Sequence, residues 1–253
     1  MEKSKELKTA ISAAEEAGKI LLERLGKAKE VEGKGHFLTE ADLESEKAII
    51  AAVEKGFPGY NIVSEEAGEK AKGSDRTWIV DPLDGSRNYF RNFPVFTVSI
   101  ALASREDLIL GVVFDPSAKR LYYAEKGKGA FLNGERIAVS REKDLGKAVV
   151  SFDYGGLEKA ALEELGKIAG KTFRVRNLGN GSLGLCYLAQ GGYDAYACAY
   201  QTKLVDIAAG IAIAREAGAT VTDKKGGKPN LFESREIVAS NGLLHKELLK
   251  VFG

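Results

Sequence analysis

The stretch WIVDPLDGS at residues 78–86 carries the strongest structural and chemical information in this 253-residue chain. Its apolar start predicts a buried strand that delivers Asp81 at its carboxyl end. Pro82 removes a backbone donor and stiffens the turn, so that Asp84 returns to the same side. Two carboxylates and the Leu83 carbonyl could then converge on one cation. From these residues alone, a plain Asp-Gly turn with solvated aspartates is an equal alternative.

Further acidic residues follow another predicted strand or open a predicted helix. Glu65 and Glu66 come directly after an apolar strand, where adjacent carboxylates repel each other unless a cation or a solvated loop relieves them. Asp206 starts a helix, and Asp42 completes a capping box with Thr39. Each position alone has an ordinary structural explanation. Their joint order favours a magnesium site, because Mg²⁺ prefers hard oxygen ligands supplied by few carboxylates.

The first part of the chain is predicted to combine helices with antiparallel strands. Two amphipathic helices are expected over about 7–25 and 39–55, separated by a glycine-rich loop at 32–36. Five strands are expected at 60–64, 77–81, 97–103, 108–114 and 120–125. Asn133-Gly134 stands between two apolar triplets and predicts a type I′ β-hairpin.

After about Gly146 the pattern changes to alternating strands and helices. Strands are expected at 148–152, 173–176, 193–198, 219–223 and 236–240, and helices at 157–169, 183–190, 205–217 and from about 243. Such alternation is typical of α/β layers. We therefore predict an α+β subdomain over residues 1–146 with most of the acidic ligands. An α/β subdomain over residues 147–253 would carry Asp206 and a substrate pocket.

Composition and charge exclude several classes of function. Hydrophobic residues make up 44% of the chain, which is ample for a sizeable core, and the net charge of +1 gives no basic field for nucleic acid. The charged N-terminus and the lack of a long apolar stretch predict a cytoplasmic protein without membrane partners. Cys186 and Cys198 are expected to be small buried hydrophobes, with a redox disulfide as the alternative. The 29% of charged residues, with two glutamines and one methionine, is typical of heat-adapted proteins.

Four stretches together resemble the inositol monophosphatase family. They are SEEAG at 64–68, WIVDPLDGSRNYF at 78–90, KGKGAFLNG at 126–134 and VDIAAG at 205–210. The resemblance covers nearly the whole chain, and the family consists of magnesium-dependent, lithium-sensitive sugar phosphatases. It implies a layered αβαβα sandwich and a phosphoric monoester hydrolase that binds two or three Mg²⁺ ions, with Mn²⁺ as a substitute.

The resemblance also implies roles for single residues. The implied ligands of the first metal are Glu65, Asp81 and the Leu83 carbonyl, and those of the second are Asp81, Asp84 and Asp206. Glu66 would steer metal-bound water. The proton of that water would move toward the Ser86 hydroxyl, which Asp42 orients. Hydrolysis would proceed by direct in-line attack without a phosphoenzyme, while the N–H groups of Gly85 and Ser86 neutralise phosphate oxygens.

The implied substrate pocket is lined by Gly85, Ser86, Gly179, Asn180, Gly181, Ser182, Lys203, Arg174 and Arg176. Its lysine and arginines could grip a second phosphate, as a bisphosphate requires, although solvated surface charges explain them equally well. The compact segment at 151–176 resembles archaeal members that hydrolyse both inositol phosphate and fructose 1,6-bisphosphate. We therefore expect a small sugar or polyol phosphate as substrate, and a homodimer, because family members usually form one.

The chain departs from the family pattern at several positions. Ser86 replaces the usual threonine, Val205 the usual tryptophan and His36 an acid or amide. The acid that binds sugar hydroxyls in inositol-specific members should fall near Cys198 or Ala199, and neither residue is acidic. This departure weakens the case for myo-inositol phosphate as the preferred substrate.

Two other functions compete with this interpretation. A related branch hydrolyses nucleotide 3′-phosphates such as adenosine 3′,5′-bisphosphate, but no aromatic residue obviously supplies a platform for adenine. A non-catalytic member would instead bind protein or RNA. The near-neutral charge argues against RNA, and the complete set of acids argues against an inactive enzyme.

Overall fold

Two β-sheets form the frame of the molecule. The computed structural model describes residues 2–31, 37–153, 159–198, 202–230 and 236–252, so the predicted loop at 32–36, with His36, and Ala199 lie outside the described residues. The first sheet has eight strands in the order β2-β1-β3-β4-β5-β6-β7-β8. Their bounds are β1 Asn61–Ser64, β2 Gly68–Lys70, β3 Arg76–Asp84, β4 Thr97–Ser104, β5 Asp107–Asp115, β6 Arg120–Glu125, β7 Gly129–Leu132 and β8 Glu135–Ile137.

The second sheet has five strands in the order β10-β9-β11-β13-β12. Their bounds are β9 Val149–Asp153, β10 Arg174–Arg176, β11 Ala195–Cys198, β12 Thr220–Asp223 and β13 Ile237–Ser240. The strand β9 pairs in parallel with β10 and with β11, whereas β13 pairs antiparallel with β11 and β12. Both sheets therefore contain parallel and antiparallel pairs of strands. Binding sites usually lie at the carboxyl ends of the parallel strands.

Helices cover both sheets and separate them. The α-helices in the described part of the chain are α1 Lys5–Arg24, α2 Glu40–Gly56, α3 Ser86–Phe90, α4 Lys159–Ile168, α5 Gly181–Ala189, α6 Leu204–Glu216 and α7 His245–Phe252. One apolar core joins α1 and α2 to the first sheet, and a second joins α5 and α6 to both sheets. A third core joins α4 and α7 to the second sheet. The order of layers is helix, sheet, helix, sheet, helix, which confirms the predicted αβαβα sandwich.

The helix α6 belongs to the C-terminal part of the chain but packs on the first sheet, against β3, β4, β5 and β6. Its residues are buried along most of its length, as expected for a helix that is apolar on every side. Gly111 of β5 allows this close approach, because a Cβ there would lie 2.4 Å from the carbonyl oxygen of Ala209. The division into subdomains at residue 146 stays a prediction, since α6 packs closely across it.

Most predicted elements have observed counterparts within a few residues. The Asn133-Gly134 hairpin is confirmed, and both residues have the positive φ values, 50° and 92°, that a type I′ turn requires. The strand β2 was not predicted, because its residues are polar and exposed and show no apolar alternation. The strand β3 extends to Asp84, three residues beyond its predicted end. None of the helices in the described ranges combines the length and the apolar character needed to span a membrane.

Candidate active site

The strand β3 ends in the two aspartates of the DPLD sequence. Residues three apart normally point to opposite faces of a strand. Here the pairing of β3 with β4 shifts between Asp81 and Asp84, at Pro82, which cannot donate to the ladder. The two carboxylates therefore lie close enough that the charge of Asp84 helps to raise the pKa of Asp81, after burial. The Asp81 Oδ1 atom also accepts a hydrogen bond from the Leu83 N–H at 2.9 Å. The predicted return of Asp84 to the side of Asp81 is consistent with this geometry.

Glu65 reaches the same edge from the neighbouring strand. The strands β1 and β3 are parallel, so their carboxyl ends lie side by side. The N–H of Glu65 continues this pairing by donating to the Val80 carbonyl at 3.2 Å. The adjacent strand ends therefore place the Glu65 side chain beside Asp81.

Asp206 approaches from the opposite side, in the first turn of α6. Its Oδ2 atom accepts the hydroxyl of Thr202 at 3.1 Å. Glu65, Asp81 and Asp206 each offer one carboxylate oxygen, and these atoms all lie within 4.8 Å of one another. Three segments that are far apart in sequence thus bring their acids to one point between the first sheet and α6.

The acids disfavour one another's negative charge. Burial and then the charges of the three neighbouring acids raise the pKa of Asp81 well above its usual value. Burial and the charge of Asp206 raise the pKa of Asp84 in the same way. Burial and the charge of Glu65 raise the pKa of Asp206 to about 7. Such a group is stable as carboxylates only with positive charge close by.

Lys203 supplies one positive charge at the edge of this group. Its Nζ atom donates to Glu65 Oε1 at 2.6 Å. Burial disfavours the charge of Lys203, but the hydrogen bond and the charge of Glu65 outweigh it, and the pKa of the ammonium group is raised. One lysine balances one of the four acids, so the group retains a strong local excess of negative charge.

Ser86 and Asp42 form a second polar contact next to the DPLD sequence. The Ser86 hydroxyl lies 3.1 Å from Asp42 Oδ1 and 2.9 Å from the Leu83 carbonyl oxygen. The other carboxylate oxygen of Asp42 accepts the N–H and the hydroxyl of Thr39, so the predicted capping box is present. Burial raises the pKa of Asp42 to about 6 despite these hydrogen bonds. One residue thus serves as a helix cap and as a partner of Ser86.

Gly85 turns the chain from β3 into α3. Its φ of 89° lies in the left-handed region, and a Cβ at this position would lie 2.8 Å from the Val95 carbonyl oxygen. Gly85 and Ser86 stand at the cap and first position of α3, where N–H groups have no acceptor within the helix. This explains why the DPLD sequence is followed by glycine.

The start of α5 contacts the DPLD sequence directly. Asn180 caps α5 by accepting the N–H of Leu183 at 2.8 Å, and its Nδ2 atom donates to the Asp84 carbonyl at 2.8 Å. The N–H of Ser182 donates to Asp84 Oδ2 at 2.9 Å. Gly179 and Gly181 flank this cap. The residues predicted to line a substrate pocket at 179–182 therefore lie beside Asp84, and two of them hold it in place.

Residues 2–253 match the sequence profile of the inositol monophosphatase family. The chain belongs to this family. A fructose-1,6-bisphosphatase/inositol-1-monophosphatase of Thermotoga maritima is 38% identical over 246 residues, which cover 96% of this chain and 93% of the relative. The Nus factor SuhB of Vibrio cholerae is 38% identical over 244 residues, covering 93% and 91%. The crystal structure of the extragenic suppressor protein suhB from Bartonella henselae has a TM-score of 0.93 at 32% identity, covering 98% of both chains.

Membership of the inositol monophosphatase family confirms the predicted family and the predicted enzyme class. Relatives that span nearly the whole chain are named as inositol monophosphatases and fructose-1,6-bisphosphatases, which are phosphoric monoester hydrolases. The family is metal-dependent, and the acidic group of this member fits that chemistry. Its donors are all oxygen atoms, which suits a hard cation such as Mg²⁺ or Mn²⁺ rather than a metal that prefers sulfur or imidazole.

The two predicted pocket arginines lie on the edge of the second sheet. Arg174 and Arg176 are exposed on β10, the edge strand of the second sheet. The Arg174 guanidinium lies over the ring of Phe173 at 4.3 Å, and Arg176 donates to the Val175 carbonyl at 3.1 Å. Within the described part of the chain, the hydrogen bonds and ion pairs of these two side chains include none to the four acids.

Two acids near the site were not singled out from the sequence. Asp153 ends β9, its charge raises the pKa of Asp84, and its Oδ2 atom lies 3.6 Å from where a Cβ on Gly181 would be. An acid directly after an apolar strand is the same signal that marked Asp81, so Asp153 could have been found. Glu46 lies within α2 and gives no comparable signal, because acids on amphipathic helices usually face solvent.

Proposed function

We propose that this protein hydrolyses a sugar or polyol phosphate monoester in a Mg²⁺-dependent reaction, with inositol 1-phosphate, fructose 1,6-bisphosphate or both as substrate. The observation that carries this proposal is the meeting of Glu65, Asp81 and Asp206 within 4.8 Å. Relatives named for both substrates at 38% and 35% identity support the substrate class.

Under this proposal the acids hold two or three metal ions. Glu65, Asp81 and the Leu83 carbonyl would hold one ion, and the carboxylates of Asp81, Asp84 and Asp206 another. Bound Mg²⁺ supplies positive charge for the phosphate oxygens and lowers the pKa of water. The raised pKa values of Asp81, Asp84 and Asp206 support this role, because burial and then mutual repulsion raise them, and a cation would offset both.

The Ser86 and Asp42 pair would hold and move a proton. The Ser86 hydroxyl has one proton and two acceptors, Asp42 Oδ1 at 3.1 Å and the Leu83 carbonyl oxygen at 2.9 Å. As Ser86 accepts a proton from the attacking water, its own hydroxyl proton would pass to ionised Asp42. Glu66, which follows the ligand Glu65, would orient the attacking water. This arrangement favours direct attack of water in line with the leaving oxygen, since Ser86 is paired with Asp42 to pass on a proton.

The phosphate would lie against the start of α3, where Gly85 and Ser86 offer N–H groups. The rest of the substrate would face residues 179–182 and Lys203. Lys203 bonds Glu65 and is 56% exposed, so its ammonium group also has room to meet a second phosphate. Arg174 and Arg176 are further candidates for the contact with a second phosphate, because their strand β10 lies next to β9. The predicted homodimer stays a prediction.

A non-catalytic role is the second candidate, because the similar Vibrio cholerae protein is named a Nus factor. That name does not mention phosphate hydrolysis. The buried acids and the intact Ser86 and Asp42 contact favour catalysis in this chain. A protein-binding role would leave these costly buried charges without a function.

The substitution Asp206→Asn tests the metal role. It removes one ligand charge, and we expect a loss of Mg²⁺ binding of at least tenfold in calorimetry and a loss of turnover of about 10²-fold or more. Asp75→Asn is the matched control, because Asp75 is an exposed acid paired with Arg105 next to the opposite end of β3. Near-normal Mg²⁺ binding and turnover in the Asp206 variant would remove this residue from the ligand set.

A further inference from the structure

Glu46 is a buried acid to which the proposed reaction gives no role. It lies on α2 four residues after Asp42, so the two carboxylates project from the same face of the helix. Only 6% of Glu46 is exposed to solvent. A carboxylate so deeply buried needs strong hydrogen-bond donors, since burial without them is costly.

Three donors converge on one oxygen of Glu46. The N–H groups of Glu66 and Ala67 donate to Oε1 at 3.1 and 3.0 Å, and the hydroxyl of Ser64 donates to the same atom. Ser64 is the last residue of β1, and Glu66 and Ala67 belong to the turn that follows it. Because one oxygen accepts hydrogen bonds from a residue before Glu65 and from two residues after it, Glu46 holds the chain on both sides of Glu65.

The same face of α2 contacts the other two segments of the site. Ser45 donates to the Pro82 carbonyl at 2.8 Å, and Asp42 accepts from Ser86. The helix therefore holds the turn after β1, the DPLD turn and the start of α3 by side-chain hydrogen bonds. Among these contacts, that of Glu46 is the one that bears on the position of Glu65.

We propose that Glu46 is a positioning residue that sets the direction of the Glu65 carboxylate toward Asp81 and Asp206. The proposal rests on the metal role proposed above for Glu65. The proposal requires a side chain long enough to place an acceptor oxygen at the position of Oε1. From there the oxygen accepts hydrogen bonds from the two N–H groups and the Ser64 hydroxyl. The negative charge of Glu46 is secondary, because the donors need an acceptor and not a net charge.

Two conservative variants separate the effect of side-chain length at position 46 from the effect of its negative charge. Glu46→Gln keeps an acceptor oxygen at the same distance from the backbone and removes the charge. Glu46→Asp keeps the charge but withdraws the oxygens by one methylene. We expect the Gln variant to bind Mg²⁺ within threefold of the wild type and the Asp variant to bind at least tenfold more weakly. The measurement is calorimetric titration of the full chain with Mg²⁺ alone.

Ile49→Ala is the matched control for general destabilisation. Ile49 lies on the same helix, is fully buried and belongs to the apolar core rather than to the site. This variant should melt at a lower temperature yet bind Mg²⁺ like the wild type. Any other pattern, such as equal binding by both Glu46 variants or weak binding by the Gln variant, overturns the positioning role. If the wild type itself binds no Mg²⁺, the proposed function fails instead.

Discussion

At the scale of single residues, Asp42 joins a structural and a chemical role. Its ordinary pKa of 3.8 is raised to about 6 by burial, even though it accepts hydrogen bonds from Thr39 and Ser86. Between these two pH values the folded chain binds more protons than the unfolded chain. The contribution of Asp42 to the free energy of unfolding therefore falls as pH rises from about 4 to about 6.

We predict a pH dependence of turnover that follows from this pKa. Ionised Asp42 is the form that accepts the Ser86 hydroxyl, so kcat should rise with pH as Asp42 ionises. The midpoint should lie below the pKa of about 6 of the metal-free chain, because bound Mg²⁺ offsets the charge of Glu65, which helps to raise that pKa. Asp42→Asn should lower kcat by about 10²-fold and remove this limb of the profile. The measurement is kcat from pH 5 to 8 at saturating Mg²⁺ for the wild type and the variant.

The Ser86 variants provide the control for the same prediction. Ser86→Ala should lower kcat to a similar extent while leaving Mg²⁺ binding unchanged, and the double variant should be no slower than the slower single variant. Ser86→Thr keeps the hydroxyl and should stay active. An unchanged pH limb in the Asp42 variant, or full activity in Ser86→Ala, would contradict the proton role of this pair.

Several site residues could be predicted from their local sequence, and others could not. Asp81 and Asp84 follow an apolar strand and surround a proline, so their sequence itself constrains the turn. Glu46 has no such context, because its donors come from a turn about twenty residues away. Whether Arg174 and Arg176 face the substrate stays a prediction, because it depends on the packing of the edge strand β10, which local sequence does not specify.

At the scale of elements, the position of α6 decides where Asp206 lies. This helix packs on β5 through Gly111, and a Cβ at that residue would lie 2.4 Å from the Ala209 carbonyl oxygen. We predict that Gly111→Ala pushes α6 away, costs about 1–3 kcal/mol of stability and weakens Mg²⁺ binding by displacing Asp206. Denaturant unfolding and Mg²⁺ calorimetry measure the two effects.

Gly59→Ala is the matched control for this prediction. A Cβ at Gly59 would meet no heavy atom within 4 Å, so the same chemical change should leave both stability and Mg²⁺ binding nearly unaltered. If Gly111→Ala lost stability but kept normal Mg²⁺ affinity, the packing of α6 on β5 would not control the ligand position.

Helices and strands could be predicted from the sequence where their hydrophobic residues form a clear run or a regular pattern. The strands β4 and β5 are buried on both faces and carry long apolar runs, which makes them clear in the sequence. The strand β2 is short, polar and exposed, and it exists because it pairs with β1 at the sheet edge. Tertiary pairing of this kind leaves no period to detect.

At the scale of the whole molecule, the layers explain why the acids meet. The carboxyl ends of β1 and β3 face the start of α6, and the start of α5 closes the remaining side. Because α5 and α6 also pack on the second sheet, both halves of the chain contribute to one site. The resemblance predicted this assembly, whereas the order of elements alone predicted only an α+β half and an α/β half.

Phosphate release tests the central claim most directly. Inositol 1-phosphate, fructose 1,6-bisphosphate and adenosine 3′,5′-bisphosphate should be compared side by side, with Mg²⁺, with Mg²⁺ and lithium, and with a chelator. We predict release from at least one of the first two substrates that requires Mg²⁺, is inhibited by lithium and exceeds release from the nucleotide. No Mg²⁺-dependent release from either sugar phosphate would contradict the proposed function.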